Sequence, residues 1–167
     1  LKKNSLFKDQ KGAKQDSIKD FCKKIELIKK TRNSKDFLIG ARIESFILGK
    51  GLNDALKRAQ AYSAAGADII LIHSKEKTSK EIFSFSNIFR KTKYYKPLVA
   101  VPSTYSKTTE AMLIKNGFKI VIYANQMLRS TYPAMKNVAK IILKNERSFE
   151  LENKISSVNE LINLIKS

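Results

Sequence analysis

A chain of 167 residues, 43% of them hydrophobic, is long enough for one domain with a real core and too apolar for disorder. No stretch approaches the roughly 18–20 apolar residues that cross a bilayer, and a lone Cys22 excludes an internal disulfide. The net charge of +18 raises polyanion binding, yet its 33 basic residues are mostly Lys scattered along the chain, without an arginine-rich run or an aromatic-interleaved basic strand. Solvated lysine faces are the plain reading of that charge, and a basic α/β module that binds nucleic acid is the alternative of another class. The N-terminus shows no signal-peptide pattern, so a cytoplasmic protein is expected, and a first residue of Leu instead of Met suggests a processed product or a fragment.

Residues 1–15 are polar, lysine-rich and aperiodic, and read as a loop. Asp16 or Ser17 caps a helix with Ile18, Phe21, Cys22, Ile25 and Ile28 on one face. The apolar run Phe37, Leu38, Ile39 reads as a strand, with Arg42 and Glu44 just past its end. A loop bracketed by Gly49 and Gly51 leads to a helix capped by Asn53, with Leu56, Ala59 and Tyr62 along one side and Gly66 closing it. The run Ile69–Ile72 is a second strand and delivers His73, the only histidine. Two buried-type strands joined by a helix make a βαβ unit and require a parallel sheet. Thr78 or Ser79 caps the next helix, with Ile82, Phe83, Ile88 and Phe89 as its buried positions. A strand over Leu98–Val101, a helix over Thr108–Lys115 closed by Gly117, and a strand over Phe118–Tyr123 follow. A long helix from Asn125 to about Lys144 contains Pro133, which predicts a kink or break near Arg129. Residues 145–154 read as a linker to a last amphipathic helix carrying Val158, Leu161, Ile162 and Ile165.

Strict alternation of four strands with helices means α/β architecture, either an open doubly wound sheet or part of a (β/α)8 barrel. No GxGxxG and no P-loop sequence supports the first option. Polar residues stand at strand end after strand end: Arg42 and Glu44, His73 and Ser74, Ser103 and Thr104, Asn125. That is the face on which a barrel builds its site, although a barrel typically needs eight strands and about 250 residues. Half a barrel leaves two sheet edges unpaired. The guanidinium of Arg42 suits a carboxylate or phosphoryl group, and a structural ion pair with Glu44 is its bland alternative. His73 suits a phosphoryl oxygen or acid–base work, or is a satisfied buried histidine. No cluster of His, Cys, Asp and Glu has metal-ligand spacing.

The segments Ala41-Arg42-Ile43-Glu44, Gly49 to Ala59, Ala65-Gly66-Ala67-Asp68 and His73-Ser74-Lys75 resemble the phosphoenolpyruvate mutase branch of the isocitrate lyase superfamily. Val101-Pro102-Ser103 and Tyr123 to Arg129 extend the resemblance over nearly the whole chain. It implies the C-terminal half of a TIM-type barrel: a lid loop over residues 1–15, β/α units over 16–144, and a linker and helix over 145–167. The implied reaction interconverts phosphoenolpyruvate and phosphonopyruvate, and phosphonopyruvate hydrolase is a close relative. In the family a Lys-x-Asn-Ser lid sequence approaches the transferring phosphoryl group, and Lys2, Asn4 and Ser5 match it. Arg42 and His73 would hold the substrate, with Glu44 behind them. Isocitrate and methylisocitrate lyases carry a Lys-Lys-Cys-Gly-His sequence that is missing here. The resemblance further implies Mg2+, with its carboxylate ligands on the other half of the barrel, and homo-oligomers in which the last barrel helix packs on a neighbour.

Overall fold

The computed structural model describes residues 12–166. Their elements are α1 (Ile18–Thr31), β1 (Gly40–Ile43), α2 (Gly51–Ala65), β2 (Ile69–Ile72), α3 (Lys80–Phe89), β3 (Leu98–Ala100), α4 (Glu110–Lys115), β4 (Phe118–Val121), α5 (Gln126–Asn145) and α6 (Val158–Lys166). The four strands form one parallel sheet in the order β1-β2-β3-β4. The chain divides into two compact units, one ending at Ala124 and the other beginning at Asn125.

In the first unit the sheet buries one face beneath helices. Ile43, Ile70, Ile72, Leu98 and Phe118 join Ala55, Ala59, Tyr62, Ile82, Phe85 and Phe89 in one apolar cluster. Ser17 caps α1 by accepting the Asp20 N–H at 3.1 Å, and the ring of Phe21 lies 4.5 Å from that of Tyr62. Only Ile25 of the expected α1 face is fully buried, and Ile28 is exposed near the helix end. Along α3 the buried aromatics are Phe85 and Phe89 rather than Phe83 and Phe89, and Ile88 faces water.

Two further sequence expectations change for local reasons. Phe37 and Leu38 are exposed and precede the strand, because the register pairs Gly40 with Ile69 and leaves them nothing to ladder against. Arg42 therefore sits within β1 and not beyond it. Asn53 is not a cap: Gly51, at φ +76°, turns the chain straight into α2, whose cap position is Lys50, without a side-chain bond.

The register of β1 against β2 is pinned by Asp68. Its carboxylate accepts the Ile39 N–H at 2.8 Å and the Arg32 guanidinium at 2.5 Å, while its own N–H bonds the Ile39 carbonyl at 2.8 Å. Burial pushes this carboxyl up, but the Ile39 and Arg32 donors outweigh it and hold it below the usual range. Asp68→Ala leaves a backbone N–H and a half-buried guanidinium without their acceptor, and is expected to cost about 2–3 kcal/mol. Urea unfolding measures it; a loss under about 0.5 kcal/mol, the range of ordinary surface substitutions, would show that the pin carries little.

The second unit holds α5, a short 3-10 turn at Phe149–Leu151 that buries Leu151, and α6. The helix α5 is continuous across Pro133, so the expected break does not occur. Proline deletes one hydrogen bond, and the remaining turns of a 20-residue helix span the gap.

Candidate active site

Side chains alternate faces along a strand, so the burial of β1 and β2 says which residues meet. Ala41 and Ile43 lie on the helix-covered face with Ile70 and Ile72, whereas Arg42 points to the opposite face, as does Leu71. The ladder runs one step past both strands, through a bond from the His73 N–H to the Ile43 carbonyl at 3.3 Å. Continuing the alternation places Glu44 and His73 on Arg42's face, at the C-terminal edge of the sheet.

The three side chains are in contact. Arg42 Nη2 lies 2.7 Å from His73 Nδ1, Arg42 Nε donates to Glu44 Oε1, and Glu44 Oε1 lies 3.6 Å from His73 Nδ1. A guanidinium has only donors, so Nδ1 accepts from Arg42, which puts the ring proton on Nε2. The imidazole is nearly buried, while the Arg42 side chain is 41% exposed. Burial pushes the Glu44 carboxyl up; the neighbouring His73 and Arg42 outweigh it and hold the group at about 2.

This sets a pH dependence of stability. In the unfolded chain Glu44 binds its proton near the ordinary 4.5, whereas in the folded chain it does so only at about 2. The stabilisation is complete above the first value and is lost as pH falls through the second. A shift of this size, screened by water around Arg42, corresponds to about 1–2 kcal/mol. Unfolding titrations from neutral pH down to about 3 should show this acid limb in the wild type and lose it in Glu44→Gln; equal limbs would contradict it.

Neighbouring groups brace the cluster; the sequence patterns singled out Ser74 and Thr104 at the strand ends but not Gln15, Ser45, Asp54, Arg58 or Tyr105. Ser45, next to Glu44, donates to Asp54 Oδ2 at 2.7 Å, and the same oxygen accepts from Arg58 Nε at 3.0 Å and Gln15 Nε2 at 3.2 Å. Arg58 also reaches the Asp16 carbonyl at 2.9 Å and the Tyr62 hydroxyl at 2.8 Å. The i, i+4 spacing of Asp54 and Arg58 was the available signal. Beyond His73, the Ser74 hydroxyl donates to Glu81, and Thr104 donates to the Ser74 carbonyl at 3.2 Å. Tyr105 is wholly buried; burial pushes its hydroxyl up to about 12, against the opposing Val101 N–H that it accepts at 3.2 Å. Asn125 belongs to the second unit, and Lys2, Asn4 and Ser5 lie outside the described residues.

The phosphoenolpyruvate phosphomutase profile matches residues 3–143. The chain belongs to that family. It is 38% identical over 163 residues to phosphoenolpyruvate phosphomutase of Tetrahymena pyriformis, covering 98% of this chain and 53% of that protein. The crystal structure of the phosphomutase from Streptomyces platensis subsp. rosaceus superposes with a TM-score of 0.92 at 34% identity, over 99% of this chain and 56% of that one. A phosphonopyruvate hydrolase solved with oxalate and Mg2+ superposes with a TM-score of 0.84 at 37% identity, over 90% of this chain and 53% of that one. The chain thus spans about half the length of the curated phosphomutases it matches, and its fold is a four-stranded parallel α/β sheet that covers about half of its TIM-barrel relatives.

Magnesium does not fit the described residues. Among the described residues no group of three or more His, Cys, Asp or Glu side chains could hold a metal ion. Among the described residues, Glu44, the half-buried carboxylate at the strand ends, is already engaged by Arg42.

Proposed function

We propose that this chain supplies the anion-holding side of a phosphoenolpyruvate mutase site, for interconversion of phosphoenolpyruvate and phosphonopyruvate. The observation that supports it is the Arg42–His73–Glu44 contact at the C-terminal edge of a parallel sheet, with the guanidinium facing outward. Arg42 offers a planar fork to a phosphoryl or carboxylate group. His73, its ring proton on Nε2, donates to the same ligand, and Glu44 orients the guanidinium. Lys2, Asn4 and Ser5 would close over the phosphoryl group as a lid.

Transfer of phosphorus between oxygen and carbon passes through a loose, metaphosphate-like state that needs pre-organised positive charge and donors around it. The described residues provide the donors and one cation. Incubated alone with phosphonopyruvate and Mg2+, the purified chain is therefore expected to show turnover at or near background; robust turnover by this chain would refute the division of the site. The similarity to a phosphonopyruvate hydrolase supports a second reading, in which water and not the enolate oxygen receives the phosphoryl group. Product analysis of a complete enzyme carrying these residues separates the two, phosphoenolpyruvate against pyruvate plus phosphate.

A further inference from the structure

The regular strands end just before the site. β1 closes at Ile43 and β2 at Ile72, so Glu44 and His73 each stand one residue past the strand that carries them. The residue after each of them is a buried serine, Ser45 at 0% and Ser74 at 1% exposed. Alternation turns both serines away from Arg42's face and toward the covering helices. There each hydroxyl donates to the acidic residue in the first turn of the helix that follows: Ser45 to Asp54 of α2 at 2.7 Å, and Ser74 to Glu81 of α3. The core seats those helices on the sheet through Ala55, Ala59, Ile82 and Phe85. Neither bond satisfies a helix N–H, since both join a hydroxyl to a carboxylate. In the next unit the first-turn acid of α4, Glu110, accepts instead from the Tyr123 hydroxyl at 2.8 Å. The serine–acid pairing thus follows the two strands that carry the cluster and not β3.

We propose that Ser45 and Ser74, each held by the acid of its helix, are positioning residues of the anion site. They fix the chain that carries Glu44 and His73, and through it the separation at which those side chains meet Arg42. Both act through their neighbours, from the side of the sheet away from the guanidinium. Two further bonds tie the same chain ends together: the Lys75 ammonium donates to the Ile47 carbonyl at 3.3 Å, and the Thr104 hydroxyl to the Ser74 carbonyl at 3.2 Å. A ligand site gains from such support because its side chains must hold one geometry before the ligand arrives. The proposal rests on reading the cluster as an anion receptor.

The chain has a single histidine, so its imidazole nitrogens can be followed without assignment. Ser45→Ala and Ser74→Ala are made in the full chain, 15N-labelled at histidine, and titrated with methylphosphonate where urea curves show each to be folded. Each should weaken binding about tenfold, short of the roughly hundredfold that an ångström of misplacement can cost. Each should also move the Nδ1 resonance of the free chain, because that nitrogen accepts from Arg42 Nη2 at 2.7 Å. Glu81→Gln keeps an acceptor for Ser74 and gives up only the charge, so its affinity should stay within about twofold of the wild type. Should a serine variant fail to fold, Glu81→Ala removes the acceptor at a partly exposed position and is read in the same way. Affinities within about twofold and an unmoved Nδ1 resonance in the folded variants would overturn the proposal and leave the anion-receptor reading intact. Equal losses in Glu81→Gln and Ser74→Ala would also overturn it, since charge and not the hydrogen bond would then be the cause. Absence of saturable binding by the wild type would overturn that reading and the proposal with it.

Discussion

Arg42→Ala is expected to weaken methylphosphonate binding by about 100-fold, or close to 3 kcal/mol. Arg42 is the one member of the cluster with a widely exposed side chain, so a ligand meets its guanidinium first. Its loss removes the fork and also leaves the half-buried Glu44 carboxylate beside the incoming anion without the Arg42 charge that holds it ionised. Truncating one partner of a hydrogen-bonded charge pair in a partly dry setting typically costs about 2–5 kcal/mol, most of it from the stranded partner. Arg42→Lys keeps the charge and loses the planar fork, and should fall between, at about tenfold. If Arg42 serves only the ion pair with Glu44, both variants will lower stability while anion affinity stays within about twofold of the wild type.

Phe85→Ala is expected to cost about 3–5 kcal/mol of folding stability. Phe85 is 0% exposed on α3, and its ring stacks on Phe89 at 5.3 Å between centroids. The same buried cluster contains Leu113 and Phe118, so truncation opens a cavity where α3, α4 and β4 residues converge on the sheet. Against a total of about 5–15 kcal/mol for an ordinary domain, that is a severe loss. Phe85→Leu refills much of the volume and should recover more than half of it. Thermal and urea unfolding of the pair measure both; a loss below about 1 kcal/mol for the alanine variant would mean that the cluster collapses around the gap.

Which features of the molecule were legible in its sequence follows from where the information is local. Ile69–Ile72 is a compact, fully apolar run bounded by Asp68 and His73, and it is the strand. Gly66 at φ +114° closes α2 because a left-handed terminal position strongly favours a residue without a Cβ, a preference written in one letter. Phe37 and Leu38 misled because apolarity says nothing about whether a neighbouring strand reaches that far, which Asp68 decides from 29 residues away. Helical periodicity along α3 admits two phases when aromatic and aliphatic residues crowd together, and only packing selects the one that buries Phe85.

At the site, Arg42, Glu44 and His73 were legible because parallel strands bring their ends to one edge. The tie from Ser45 and Gln15 to Asp54 was not, since polar residues scattered over 39 positions carry no period. The lid tetrad around Asn4 and Ser5 rests on likeness alone, as those residues lie outside the described chain.

The anchoring of β1 by Asp68 has a consequence for how the chain emerges from a ribosome. β1, with Arg42 already made, has no fixed alignment against β2 until a residue 29 positions beyond Ile39 arrives to hold it. His73 follows Asp68 by a few residues, so the guanidinium and the imidazole meet in the same short interval that aligns the strands. A nascent polypeptide stalled within α2 would carry the guanidinium without the imidazole it donates to and without β2 to align β1.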